Sequence, residues 1–132
     1  NGGDAVVVSR SRVKGEMLAA EFDSPWMPLA ESSEMKGDCL INTTPLGMTP
    51  EIEEMPVPEK AVQQFKYVMD AVYNPPETRL LRKAKEAGAV AISGVEMFVA
   101  QGGEQLRLWT SKEPPLRSMK AVVLSALKKR IR

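Results

Sequence analysis

Four short apolar runs, each giving way to a polar or glycine-bearing turn, constrain this chain more than any other feature. They are Ala5-Val6-Val7-Val8, Cys39-Leu40-Ile41-Asn42, Phe65 to Val72 and Ala89 to Ile92. None alternates cleanly between apolar and polar residues, which suits strands buried on both faces. Between them lie stretches of helical character. Ser11 is placed to cap a helix from Val13 to Phe22, which Ser24-Pro25 breaks. Thr78 caps another, with Leu80, Leu81, Ala84 and Ala87 on its apolar stripe and Gly88 closing it. Gly94 opens a long helix to about Trp109, and a last helix runs from Leu116 to Ile131 after the break at Lys112-Glu113-Pro114-Pro115. A fainter strand falls at Trp26 to Leu29, and the proline- and carboxylate-rich stretch Thr49 to Glu59 reads as a loop. Strands alternating with helices predict an α/β fold, doubly wound around a mostly parallel sheet.

Composition narrows the function classes. At 132 residues the chain is one domain, and 43% hydrophobic with 27% charged residues is ordinary for a globular protein. A net charge of +1 points to neither nucleic acid nor an acidic membrane, and no apolar run approaches a membrane span. There is no histidine, which removes Ser-His-Asp and Cys-His chemistry and the usual zinc ligand sets; no metal is expected. The single cysteine, Cys39, excludes an internal disulfide and reads as a buried, inert thiol. Asn1-Gly2-Gly3-Asp4 is neither a signal peptide nor a starting Met, so the reading is of a processed, trimmed or partial chain.

In open parallel sheets, ligands lie beyond the carboxyl ends of the strands. Arg10 and Lys14 stand four apart across a helix start, where their charges and the backbone N–H groups could meet one phosphate; a solvated basic helix start is the competing reading. Asn42 to Met48 suits either close backbone approach to a ligand or a plain turn. Tyr73 follows a strand directly, and Gln101 lies two helical turns after Gly94, facing the same way. Gly102-Gly103 in mid-helix each cost about 1 kcal/mol against Ala, which suggests close packing there. Lys128-Lys129-Arg130 and Arg132 complement the dipole of the last helix.

Four segments taken in order resemble the shikimate dehydrogenases. Ser9-Arg10-Ser11 stands where that family carries Asn-Arg-Thr. Asn42-Thr43-Thr44-Pro45-Leu46-Gly47-Met48 resembles its Asn-Thr/Ala-Thr-Pro/Ser-x-Gly-Met turn. Asp70-Ala71-Val72-Tyr73-Asn74-Pro75 with Thr78, Leu80 and Leu81 resembles Asp-x-x-Tyr-x-Pro-x-x-Thr-x-Leu-Leu. Gly94 to Gln101 resembles Gly-x-x-Met-x-x-x-Gln. Glu96 is more like the plant-type enzyme fused to a 3-dehydroquinate dehydratase than the free bacterial one.

The resemblance implies a Rossmann-like NADP-binding domain over residues 1–132, with C-terminal helices but without its first strand and Gly-rich loop; Gly2-Gly3 precedes a strand and does not replace that loop. It implies that Ser9, Arg10, Ser11 and Lys14 hold the adenosine 2′-phosphate, that Thr43 and Thr44 line the cofactor groove, and that Ala71, Gly94 and Met97 lie against the nicotinamide. Tyr73 and Gln101 would touch the substrate. The catalytic Lys and Asp of the family belong to an N-terminal substrate domain absent from this chain, so no catalytic residue is expected here. The implied reaction is reversible reduction of 3-dehydroshikimate to shikimate by NADPH, with this chain inactive alone. Alternatives are a truncated, non-catalytic nucleotide-binding or interaction remnant, with self-association through an exposed sheet edge, and quinate as the substrate. A plastid is implied for the plant-type enzyme and the cytoplasm otherwise.

Overall fold

The computed structural model describes residues 2–130, Arg130 by its backbone alone; the start at Asn1 and the helix end at Ile131 and Arg132 lie outside the described residues. The elements are β1 (Val7–Ser9), α1 (Arg12–Glu21), β2 (Trp26–Pro28), a 3-10 turn (Leu29–Glu34), β3 (Gly37–Asn42), α2 (Glu59–Val62), β4 (Phe65–Asp70), α3 (Arg79–Glu86), β5 (Val90–Ile92), α4 (Gly94–Thr110) and α5 (Leu116–Arg130). All strand pairing is parallel, and the α/β alternation is as the sequence predicts. The 3-10 turn and the short α2 fall where only polar or loop character was expected.

The strands form two sheets rather than one: β1 pairs with β2, and β3, β4 and β5 form a three-stranded sheet in that order. Leu40, Val57, Ala61, Val62, Phe65, Val68, Leu80 and Ala84 make the larger core, so α2 and α3 cover one face of the three-stranded sheet. Each fully buried Leu or Val there contributes roughly 1.5–3 kcal/mol. Leu29 and Met35, flanking the 3-10 turn, pack on the same core and tie it to the first half of the chain.

The second face of that sheet is open among the described residues. Cys39 and Ile41 stand in register with Tyr67 and Met69, and these with Val90 and Ile92, so the six share one face. Ile41 is 55% and Val90 51% exposed. Two expectations are corrected by this. β3 is buried on one face only, with Leu40 and Asn42 inward and Cys39 and Ile41 outward. Cys39 is exposed, and partial desolvation together with Asp38 raises its thiol above the ordinary value. β1 is half-buried for a similar reason, with Val6 beside it 52% exposed.

Helix ends follow their residues. Ser11, Thr78 and Ser93 cap α1, α3 and α4, each accepting a bond from a backbone N–H of the first turn. Gly88 adopts φ +79° just after α3, the left-handed geometry glycine tolerates best. Ala87 is exposed rather than on the buried stripe, because the helix ends at Glu86. α4 and α5 form a hairpin around Val95, Val99 and Leu127. Gly103 allows it: a Cβ there would lie 2.5 Å from the Leu116 side chain, and one on Gly102 would lie 3.4 Å from Met119. Among the described residues no helix is long and apolar enough to cross a membrane.

Candidate functional site

The turns singled out in the sequence sit at the carboxyl ends of the strands, in two groups. The first group closes β1. Ser9 Oγ accepts a hydrogen bond from Trp26 Nε1 at 2.9 Å and donates to the Ser11 carbonyl at 2.9 Å. Ser11 Oγ accepts from the Lys14 amide at 3.4 Å as the N-cap of α1. Arg12 lies over the Trp26 ring, 5.3 Å from its centroid, and pairs with Glu16 at 3.6 Å. Gly15 makes the arrangement fit, since a Cβ there would fall 2.1 Å from Trp26 Nε1 and 2.2 Å from Ser9 Oγ. Arg10 and Lys14 are exposed, and the first turn of α1 holds no acid. An N-terminus with unpaired backbone donors and three nearby cations is suited to a phosphate monoester. Sequence reasoning missed Trp26, which stands 17 residues from its Ser9 partner; only its place in β2, paired with β1, reveals it.

The second group closes the three-stranded sheet. Asn42, 3% exposed, ends β3, and Asp70, fully buried, ends β4 in register with it. Asn42 Nδ2 donates to Asp70 Oδ1 at 2.9 Å and to the Leu46 carbonyl at 3.3 Å. Asn42 Oδ1 accepts from the Thr44 amide at 3.0 Å and from Thr44 Oγ1 at 2.7 Å. Asp70 Oδ1 also accepts from the Val72 amide at 3.0 Å, and Oδ2 from Thr78 Oγ1 at 2.6 Å. Burial pushes the Asp70 carboxyl above the ordinary carboxylate range, while the bonds from Thr78, Val72 and Asn42 act the other way. The sequence motifs contain both buried residues but assign neither a role, although a polar residue closing a strand was the available signal.

α4 then packs its first residue onto the β4 turn. A Cβ on Gly94 would lie 2.5 Å from the carbonyl oxygens of Ala71 and Val72. Ser93 Oγ donates to the Pro76 carbonyl at 2.9 Å and accepts from the Val95 amide at 3.2 Å. Tyr73 stacks on Phe98, ring centroids 4.9 Å apart, a contact sequence reading also missed. Thr43, Thr44, Ala71, Tyr73 and Gly94 are thus brought together, with Met97 and Gln101 one turn apart on α4. Ser9, Arg10, Ser11 and Lys14 form the separate group at β1. Among the described residues no three His, Cys, Asp or Glu side chains converge.

Comparison with known proteins bears on the family and the fold. The family model for the shikimate 5′-dehydrogenase C-terminal domain matches residues 94–124, the α4–α5 hairpin. The shikimate dehydrogenase (NADP(+)) of Methanosarcina mazei is 43% identical over 96% of this chain and 49% of its own length. The chloroplastic bifunctional 3-dehydroquinate dehydratase/shikimate dehydrogenase of Arabidopsis thaliana is 38% identical over 86% of this chain and 19% of its own. A crystal structure of shikimate 5-dehydrogenase from Thermus thermophilus in complex with NADP(H) and shikimate superposes with a TM-score of 0.83 at 30% identity, over 95% of this chain and 47% of that one. The chain spans about half the length of the curated relatives it matches first. With the motifs in order and the fold in agreement, the chain belongs to the shikimate dehydrogenase family, in its C-terminal portion.

Proposed function

We propose that residues 1–132 are part of the NADP-binding domain of an enzyme that reversibly reduces 3-dehydroshikimate to shikimate. The observation that carries this is the meeting of the β3 and β4 turns, with Thr43, Thr44, Ala71 and Tyr73, at the start of α4, where Gly94 packs directly on the Ala71 and Val72 carbonyls. The relatives named for NADP and shikimate support the choice of ligands.

When bound, the nicotinamide supplies the hydride. The residues of this chain bind and orient. Arg10 and Lys14, with Ser9 and Ser11, hold the adenosine 2′-phosphate at the α1 N-terminus, which selects NADP over NAD. Thr43 and Thr44 line the groove for the cofactor; Ala71, Gly94 and Met97 meet the nicotinamide, and the last two also exclude water from its face. Tyr73, braced by Phe98, and Gln101 orient the substrate hydroxyls. The catalytic Lys and Asp are assigned to an N-terminal substrate domain outside residues 1–132. The chain alone is accordingly inactive. A plastid location goes with the plant-type reading and a cytoplasmic one with a free-standing enzyme.

The test compares purified residues 1–132 with the natural full-length protein, offering shikimate or quinate with NADP or NAD. Turnover of shikimate with NADP by the full-length protein alone is expected, with Arg10→Ala raising KM for NADP about tenfold or more and leaving that for NAD unchanged. Turnover by residues 1–132, or preference for quinate, overturns the corresponding part.

A second reading, self-association, is favoured by the open sheet face bearing Ile41 and Val90. Light scattering of residues 1–132 across a concentration series tests it: a rising mass supports association, a constant monomer mass excludes it.

A further inference from the structure

We propose that Asp70 is the positioning residue of this cleft, its ionised carboxylate setting the Asn42–Leu46 turn and the Asp70–Tyr73 turn against each other. The inference rests on the cofactor reading above. Asp70 is fully buried, so its own side chain presents no surface to a ligand. All three groups that reach its oxygens are donors: Asn42 Nδ2 and the Val72 amide on Oδ1, and Thr78 Oγ1 on Oδ2. An acceptor-only carboxylate matches that set, whereas a protonated one would point a hydrogen at a donor or leave one unmatched.

Each bond extends into a different part of the cleft. Through Asn42, whose Oδ1 takes both the amide and the hydroxyl of Thr44, the carboxylate fixes the turn carrying Thr43 and Thr44. Through the Val72 amide it fixes the turn whose carbonyls cradle Gly94 and whose next residue is Tyr73. Through Thr78, which caps α3 at the Leu81 amide, it anchors both to the core. The Ala71 amide, donating to the Asn42 carbonyl at 2.9 Å, closes the link between the turns. Strand pairing ends there, and farther out the turns meet again only where the Thr49 amide donates to the Asn74 carbonyl at 3.0 Å, so between those two links the side-chain hub sets the geometry.

Two isosteric variants separate positioning from plain stability. Asp70→Asn places a donor where a carboxylate oxygen was and mismatches a turn; Thr78→Val removes the anchor to α3 and that helix's cap but leaves both bonds to the turns. In the natural full-length protein, NADP affinity is read by titration and exchange of the Thr44, Val72 and core Val68 amides by NMR. Expected for Asp70→Asn is NADP binding about tenfold weaker, with Thr44 and Val72 exchanging faster and Val68 unchanged; Thr78→Val should lose stability but keep its affinity. If the wild type binds NADP and both variants bind it equally well, the positioning role is overturned while the cofactor reading stands. If the wild type binds no NADP, the cofactor reading falls, and exchange decides alone. Faster exchange at both Thr44 and Val72 in Asp70→Asn then supports the hub, and unchanged exchange overturns it.

Discussion

Gly94→Ala probes the closest backbone approach in the cleft. The added Cβ would sit 2.5 Å from the Ala71 and Val72 oxygens and 2.7 Å from the Ala71 carbonyl carbon. Comfortable carbon contacts begin near 3.5 Å, so α4 or the β4 turn must retreat by about 1 Å. The obstructing atoms are backbone, and the turn is held by Asp70 and Asn42, so no side chain can rotate out of the way. Overpacking of this kind costs about 1–3 kcal/mol. Alanine in a helix gains at most about 1 kcal/mol over glycine, and less at a first helical position. The net expectation is a loss of about 2 kcal/mol, or a fall in Tm of roughly 4–8 °C for a protein about twice this length. The same retreat carries Met97 and Gln101 away from Tyr73, and a misplacement of about 1 Å can cost on the order of a hundredfold in turnover. Thermal denaturation and steady-state kinetics of the full-length protein measure both. A Gly94→Ala variant within 1 °C of the wild-type Tm and twofold of its kcat, limits set by about 0.3 kcal/mol, would refute the cradle.

Gly15→Ala should act on the anion site instead. Its Cβ collides with Trp26 and Ser9, so their hydrogen bond, about 1 kcal/mol, is lost and the ring must shift, an overpacking cost of about 1–3 kcal/mol that outweighs the helical gain of alanine. Stability should fall while the Trp26 emission shifts and KM for NADP rises; an unchanged spectrum and KM would show that Trp26 does not hold Ser9. Asp70 should give the protein a distinctive pH dependence. Burial raises its folded-state carboxyl above the unfolded value, so the native state keeps the proton longer, and stability falls as pH rises across that interval before levelling off. The difference in urea midpoint between wild type and Asp70→Asn should therefore shrink or reverse as pH rises above about 4, and a difference growing in favour of the wild type would contradict it. Finally, Ile41→Lys in residues 1–132 should lower both dye binding and association by the open sheet face; equal values for the two chains would place any sticky surface elsewhere.

What the sequence discloses about this fold is what depends on neighbours along the chain. Ser11, Thr78 and Ser93 lie where helices begin, and Gly88 and Gly47 take the positive φ their turns need, because capping and backbone freedom are local. Asn42–Met48, Tyr73–Pro76 and Ser93-Gly94 were legible for the same reason, as breaks in apolar runs, although the strand before Tyr73 ends at Asp70 rather than Val72. Strand pairing is not local. Nothing in Val7–Ser9 or Gly37–Asn42 says that these strands enter separate sheets, nor that one face of β3 stays uncovered.

The buried hub sits between those cases. Asp70 and Asn42 are 28 residues apart, and neither is unusual alone. Yet each is the polar last residue of its strand after three apolar ones, Cys39 to Ile41 and Tyr67 to Met69, and a buried polar group at that position must find a partner. In a parallel sheet the partners at hand are the last residues of neighbouring strands and the turns that leave them. A pair of polar strand ends is therefore a prediction of contact before any coordinates exist, and the Asn42–Asp70 bond is its realisation. By the same logic, the residues that shape a cleft at the carboxyl edge of a sheet are set one step behind those that line it. Thr44 and Tyr73 can meet a ligand only because Asn42 and Asp70 have already spent their hydrogen bonds on holding the turns that present them.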